Sequence, residues 1–163
     1  MLDDDARLHA IAHREVPTAD RSDVTAWADW LRDRLAEPEV RAALARHRYP
    51  DDVTVSVEPE LPFLWRDDRD HVMVEGFIDR FVLLERDGEI LGAEIIDWKT
   101  DLVDPDDSRA LPDKIDHYAP QIRRYREAVA DLYGLAPDRI TGTLVFLEVG
   151  AVVDVPPDVG AGG

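Results

Sequence analysis

A largely apolar run over residues 90–96 ends in Asp97-Trp98-Lys99. The run predicts a buried β-strand, and side chains in a strand alternate between its two faces. Asp97 and Lys99 should therefore point to one side, whereas Ile96 and Trp98 point to the other. Because a buried charge is costly unless it is paired or bound to a metal, an acid and a lysine at the end of a core strand are candidate functional residues.

A second acid, Asp79, lies on the preceding predicted strand. An Asp-Gly pair predicts a tight turn between the strands at 73–84 and 89–98, so Asp79 can lie beside Asp97 in an antiparallel hairpin. Two acids and a lysine on neighbouring strands can form a metal-dependent phosphodiesterase site, because Mg²⁺ prefers carboxylate oxygens. The alternatives are a solvated ion pair for Asp97 and Lys99, and an arginine partner for Asp79.

The rest of the chain predicts an α/β fold with a mixed sheet flanked by helices. We expect one domain over residues 1–155, with a helical part at 1–46, a sheet and a long helix at 53–155, and a flexible tail at 156–163. The other predicted elements are helices at 5–15, from a cap at Ser22 or Asp23 to Leu35, and at 38–44, a strand from Val53, an extended segment at 61–65, a mobile loop at 100–112, a helix at 113–133, and strands at 140–149 and 151–155. Tryptophans 27 and 30 are expected in the core.

The formal net charge is −17, from 36 acidic against 19 basic residues. Such a chain should be repelled by phosphate backbones, which argues against a simple nucleic-acid-binding module. Bound divalent ions reverse the local field, so a metal-dependent nuclease is not excluded. The absence of cysteine excludes disulfides, thiolate zinc sites and iron–sulfur clusters. No apolar run approaches the length of a membrane span and no signal-peptide pattern is present, so we expect a cytoplasmic location and no membrane partner.

Two further pairs of polar residues have helical i, i+4 spacing. His9 and His13 could bind zinc, but no other histidine or cysteine cluster completes such a site, and surface histidines are the alternative. Gln121 and Tyr125 share one helix face, and the alternative is a surface amide beside a core tyrosine. By itself neither pair decides between function and packing.

Five short motifs follow one another along the chain. They are Leu8-His9-Ala10-Ile11, Glu60-Leu61-Pro62-Phe63, Gly76-Phe77-Ile78-Asp79-Arg80, Ile96-Asp97-Trp98-Lys99-Thr100-Asp101, and Tyr118-Ala119-Pro120-Gln121-Ile122-Arg123-Arg124-Tyr125. In this order and spacing they resemble the RecB-family nuclease domain of the PD-(D/E)XK superfamily. Such domains form the C-terminal part of bacterial helicase-nucleases, such as the AddA and RecB subunits and their UvrD-like relatives. The resemblance covers nearly the whole chain and implies a restriction-endonuclease-like core.

The resemblance also implies roles for the matching residues. Asp79 and Asp97 would bind Mg²⁺, with Mn²⁺ able to replace it, and His9 and the backbone carbonyl of Trp98 would be further ligands. Lys99 would position or activate the attacking water and stabilise charge on the phosphate. The remaining residues, which would shape the site, contact DNA or support the metal, are Gln121, Tyr125 and Glu60.

The function implied is that of a DNA nuclease, acting as an exonuclease on single strands during double-strand-break repair and recombination. The chain has no Gly-x-x-x-x-Gly-Lys-Ser/Thr motif, so the helicase would be another domain or another subunit. The family often has glycine four residues before its histidine, where this chain has Asp5, and His13 therefore remains an alternative to His9. Two rival functions are a DNA-end-docking or structural domain without turnover, and a metal-independent enzyme that uses one of these histidines as a base.

Overall fold

The computed structural model describes residues 4–16, 18, 20–67 and 71–157. Within these ranges the chain forms four α-helices and five β-strands. In chain order they are α1 (Asp4–Glu15), α2 (Arg21–Ala36), α3 (Pro38–Leu44), β1 (Thr54–Asp67), β2 (Val72–Arg86), β3 (Glu89–Lys99), α4 (Ala110–Tyr133), β4 (Ile140–Phe146) and β5 (Ala151–Asp154). The predicted tail lies outside the described residues from position 158 onward. None of the described helices is both long enough and apolar enough to cross a membrane.

The described strands form one mixed sheet in the order β1-β2-β3-β4-β5. β3 and β4 are parallel, and the other neighbouring pairs are antiparallel. α4 connects the two parallel strands, which cannot be joined by a tight turn. The predicted α/β class, with a mixed central sheet flanked by helices, is therefore confirmed.

Helices cover both faces of the central strands. α4 packs against a cluster that includes Ile95 and Phe146. A Cβ at Gly142 would overlap Ile122 of this helix, so the glycine allows a close approach between α4 and the sheet. α2 and α3 pack on the opposite face, over Ile96. Each such fully buried isoleucine contributes about 1.5–3 kcal/mol to folding.

β1 is one strand of 14 residues, whereas the sequence predicted a strand from Val53 and a separate segment at 61–65. It pairs with β2 along most of its length, although it contains Pro59 and Pro62. β1 is an edge strand, so only one of its sides is hydrogen-bonded and prolines are tolerated there.

Other element boundaries also differ from the predicted ones. α4 begins at Ala110, three residues early, because Pro112 lies in its first turn, where a missing N–H is harmless. β4 ends at Phe146, three residues before the predicted end. α2 is capped by Asp20, whose carboxylate accepts the backbone N–H of Ser22, so the predicted cap at position 22 or 23 was wrong.

The prediction that both tryptophans of α2 lie in the core was wrong for Trp27, which is 53% exposed. α2 turns Val24 and Ala28 toward α1, and it turns Trp30 and Leu31 toward the sheet. Trp27 lies between these two contact faces and stacks on Trp30, with 6.4 Å between the ring centroids. Helical spacing identifies an apolar residue but does not show how far the neighbouring helix extends over it.

Candidate active site

Asp97 and Lys99 lie at the end of β3, on the face of the sheet that α4 covers. Lys99 Nζ donates a hydrogen bond of 3.1 Å to Oε1 of Gln121 on α4. Ile96 and Trp98 belong instead to the apolar cluster beneath α2 and α3. The two faces of the strand are thus occupied as its alternation predicts, with an acid and a lysine side by side.

Asp97 is almost fully buried, with 2% of its surface exposed. Lys99 Nζ lies 2.5 Å from its Oδ2, so the lysine is the charge partner of this buried carboxylate. Burial raises the pKa of Asp97, Lys99 lowers it, and the neighbouring Asp79 carboxylate raises it further. The net shift is upward, so the surroundings disfavour the charged carboxylate unless another cation joins it.

Asp79 reaches the same point from the neighbouring strand. The last pair of the β2–β3 ladder is Arg80 with Ile96, so Asp79 lies across from Asp97, one step beyond the ladder. Its Oδ2 accepts a 2.8 Å hydrogen bond from the backbone N–H of Trp98. The Asp79 carboxylate thus accepts the hydrogen bond that a backbone carbonyl would accept if the ladder continued. This contact holds the carboxylate next to Asp97.

Glu60 lies across from Asp79 on β1, because its two neighbours pair with the two neighbours of Asp79. We refer to Glu60, Asp79 and Asp97, on three adjacent strands, as the acid row. Glu60 has a φ of 53°, a left-handed conformation that is strained for a residue with a side chain. Its side chain is exposed, and no three acidic, histidine or cysteine side chains among the described residues are close enough together to hold a metal. Glu60 therefore shares the row without forming a ligand cluster with the two aspartates.

Gln121 and Tyr125 extend the site along α4. Gln121 Nε2 donates a 2.6 Å hydrogen bond to the hydroxyl of Tyr125, whose pKa is raised by burial. The Tyr125 ring packs edge-on against Phe63, with 5.3 Å between the centroids. A Cβ at Gly76 would lie 3.0 Å from Phe63, so the glycine makes room for this aromatic pair. The contact with Phe63 holds the Tyr125 ring in place, and the Tyr125 hydroxyl holds the amide of Gln121. The amide oxygen of Gln121 in turn orients the Lys99 ammonium.

Two clefts open near these residues. One, of about 360 Å³, is lined by Val74, Glu75, Pro120, Gln121, Arg124 and Tyr125. It places an exposed arginine beside the amide that contacts Lys99. The other, of about 640 Å³, is larger but lies farther along the β1–β2 hairpin and contains no basic side chain. The smaller cleft is the one adjacent to the charged residues.

The ion-pair partner of His9 lies outside this group. His9 lies on α1, and its Nε2 is 3.3 Å from Oδ1 of Asp29 on α2. The side chain of His13 lies outside the described part of the chain. The carbonyl of Trp98 faces the same side as Asp79, because the N–H and C=O of one residue point to the same edge of a strand.

Three neighbours that the sequence analysis did not assign to the site also belong to it. The Nζ atom of Lys99 lies 3.9 Å from the centroid of the Tyr118 ring. The hydroxyl of Tyr118 and the ammonium of Lys114 both donate to Asp101. This contact ties the start of the segment predicted as a mobile loop to α4. The available signals were the helical spacing of Lys114, Tyr118 and Gln121, and the use of lysine at only two positions beside 17 arginines.

The donor set fits a divalent cation. Asp79 and Asp97 present carboxylate oxygens at one point, and one or two carboxylates suffice for Mg²⁺ because waters complete its shell. The buried Asp97 carboxylate is paired with the Lys99 ammonium and lies next to the Asp79 carboxylate, so a cation bound between the two acids would offset their mutual repulsion. A cation held there beside Lys99 could activate water and stabilise a negatively charged phosphate, which phosphodiester hydrolysis requires.

The comparison with protein families agrees with this geometry. Residues 1–158 match the PD-(D/E)XK nuclease superfamily, whereas no curated protein matches the chain significantly. Members of this superfamily are nuclease-type hydrolases that act on DNA and generally use divalent metal ions. Because the match covers nearly all 163 residues, the chain belongs to the PD-(D/E)XK nuclease superfamily.

Proposed function

We propose that the chain is a Mg²⁺-dependent deoxyribonuclease and that Mn²⁺ can replace Mg²⁺. The observation that carries the proposal is the meeting of Asp79, Asp97 and Lys99 at one end of the β2–β3 ladder. Two acids and a lysine at this point match the resemblance to RecB-family nuclease domains. The proposal extends the superfamily assignment to a particular metal and to particular residues.

The metal would be held by Asp79, Asp97 and the backbone carbonyl of Trp98. When bound, it would supply a nucleophilic water and stabilise charge on the phosphate and the leaving oxygen. Glu60, in the same row, would support the waters around this site. His9, which the resemblance adds as a ligand, has its Nε2 atom 3.3 Å from Oδ1 of Asp29, so this nitrogen would exchange Asp29 for the metal.

Lys99 would act directly on the phosphate. Its side chain is 11% exposed and its ammonium is held between Asp97 and Gln121, so the charge is fixed before the substrate arrives. A preorganised cation stabilises charge that develops in the transition state without reorganisation of the site. Gln121 and Tyr125 would shape the site and contact the DNA backbone.

We further propose that the chain is the exonuclease module of a helicase-nuclease that processes double-strand breaks and cuts the single strands it receives. The support is the resemblance of the five motifs, together with the net charge of −17. A strongly acidic chain recruits DNA poorly by itself, and a helicase would deliver the strand to the site. This part of the proposal is tested by measuring the cleavage of a tethered DNA strand by the chain alone and by the chain together with its helicase partner.

The nuclease proposal is tested by the cleavage of end-labelled single- and double-stranded DNA in Mg²⁺, Mn²⁺ or EDTA. We expect metal-dependent cleavage by the wild-type chain and none by Asp97→Ala. The control is Asp52→Ala, which removes an exposed acid paired with Arg86 at the far end of β2 and should leave cleavage unchanged. Cleavage in EDTA, or full cleavage by purified Asp97→Ala, would refute the proposal. DNA binding without any cleavage would favour a docking domain.

A further inference from the structure

The chain uses lysine at only two positions, 99 and 114, and both lie next to Tyr118. The Lys99 ammonium lies 3.9 Å from the centroid of the Tyr118 ring. A cation over an aromatic face is attracted by the negative face of the ring. The four-carbon stem of lysine is flexible and its ammonium is a compact point charge, so a ring on one side restricts where that charge can go.

The ring itself is anchored at its far end. The Tyr118 hydroxyl donates a 2.8 Å hydrogen bond to Asp101 Oδ2, and Lys114 Nζ donates a 2.6 Å hydrogen bond to Oδ1 of the same carboxylate. Lys114 and Tyr118 hold the pKa of Asp101 below its usual range, and Asp101 raises the pKa of Tyr118. Around neutral pH the acceptor is therefore charged and the phenol keeps its proton, so the anchor is complete.

We propose that Tyr118 is the positioning residue of Lys99 and that Asp101 and Lys114 hold its ring in place. Lys99 then has a contact on each of three sides, namely Asp97, Gln121 and the ring of Tyr118. Asp97 and Gln121 alone would let the ammonium move away from the sheet on its third side. Because displacements of about 1 Å can cost about 100-fold in rate, this third contact contributes to turnover rather than to substrate affinity. The role of Lys99 rests on the proposed function, whereas the contact itself does not.

The kinetic test compares Tyr118→Phe, which keeps the ring, with Tyr118→Leu, which removes it. We expect Tyr118→Leu to lower kcat by about tenfold with little change in KM, and Tyr118→Phe, which keeps the ring but loses its hydrogen bond to Asp101, to lower it by only about threefold. The matched control is Tyr133→Leu, which removes another half-buried tyrosine of α4, one that stacks on Phe81. This variant should lose stability without losing kcat relative to the folded fraction. A loss of kcat in Tyr118→Phe equal to that in Tyr118→Leu, or an unchanged kcat in Tyr118→Leu, would overturn the proposal.

A second measurement does not depend on cleavage. Protons above an aromatic ring resonate upfield, so in a lysine-labelled wild-type protein the side-chain signals of Lys99 should be shifted and those of Lys114 should not. Lys114→Arg assigns the two sets of signals. The upfield shift should persist in Tyr118→Phe and disappear in Tyr118→Leu. If the wild-type spectrum shows no shifted lysine, the positioning role is wrong even if the chain cuts DNA. If the shift is present but no DNA is cut, the proposed nuclease function has failed and the contact stands.

Discussion

Replacing Asp97 by asparagine separates metal binding from folding. Asparagine has nearly the same shape as aspartate but lacks the charge. Asp97 is 2% exposed, and burial and the neighbouring Asp79 carboxylate raise its pKa although Lys99 is beside it, so the wild-type carboxylate gains from a bound cation. We therefore expect Mg²⁺ to stabilise the wild-type chain and to have almost no effect on Asp97→Asn.

The size of the effect follows from linkage. A ligand that binds only the folded state at 100 times its dissociation constant stabilises that state by about 2.7 kcal/mol. In a chain of 163 residues, 1 kcal/mol raises the melting temperature by about 2–4 °C. The wild type should therefore melt about 5–10 °C higher in saturating Mg²⁺ than in EDTA. Thermal unfolding followed by fluorescence measures this difference directly.

The same two proteins, compared in EDTA, test the direction in which the pKa of Asp97 is shifted. Because the pKa of Asp97 is raised in the folded state, its protonated form is favoured there. Its contribution to stability is complete below the ordinary aspartate pKa of about 3.9 and is lost as the pH rises through the raised value. Asparagine does not titrate, so the stability of Asp97→Asn should rise relative to that of the wild type over the pH range in which Asp97 loses its proton.

The control for the Mg²⁺ experiment is Asp52→Asn, whose melting point should respond to Mg²⁺ as that of the wild type does. An equal Mg²⁺ shift in Asp97→Asn and wild type would refute Asp97 as a ligand.

Three other substitutions test the parts of the site separately. Lys99→Met should lower kcat by at least about 100-fold in a folded protein, and unchanged turnover would exclude a role on the phosphate. Gly76→Ala should cost about 1–3 kcal/mol, measured by urea unfolding, because its Cβ would press on Phe63 and through it on Tyr125; unchanged stability would mean that this packing is loose. Arg124→Ala should raise KM and reduce the salt dependence of DNA binding by about one phosphate contact, with kcat unchanged. A salt dependence equal to that of the wild type would place the DNA outside the smaller cleft.

The sequence predicts best those features that depend on local periodicity. Asp97 and Lys99 share a face because alternation with a period of two holds within one strand. Asp79 is harder to place, because a two-residue turn with Arg86 paired to Glu89 would put it opposite Ile96. The register shifts between Leu84 and Glu85, and this bulge moves Asp79 opposite Asp97. A β-bulge leaves no clear mark in a single sequence, so the hairpin alone could not establish this pairing.

Contacts between distant elements could not be predicted. His9 is matched by a motif, but its partner Asp29 depends on how α1 packs on α2. The anchoring of Asp101 depends on the angle at which α4 crosses the sheet, and the acidic composition of the loop after β3 suggested mobility instead. In each case the deciding quantity is the relative placement of two helices or of a helix and the sheet. Residue spacing along the chain contains no information about that placement.

The charges of the site lead to a final prediction about DNA binding. The acid row carries three carboxylates, and the only lysine beside it, Lys99, is already paired with Asp97. Without a divalent ion the site should repel a phosphate, because the Lys99 ammonium cannot pair with the Asp97 carboxylate and with the phosphate at the same time. A cation held by Asp97 would neutralise that carboxylate and leave the ammonium free for the phosphate, so metal and DNA should bind cooperatively.

The cooperativity can be measured as the anisotropy of labelled single-stranded DNA in EDTA and in Ca²⁺, an oxygen-binding divalent ion used here in place of Mg²⁺. We expect affinity at least about tenfold higher in Ca²⁺, which corresponds to a coupling free energy of about 1.4 kcal/mol. The gain should be absent in Asp97→Asn, where no carboxylate remains to be neutralised. Lys99→Met should also lose most of the gain, because it has no ammonium to release. A full gain in Lys99→Met would mean that the metal alone recruits the phosphate, and the ion pair would then have no part in substrate binding.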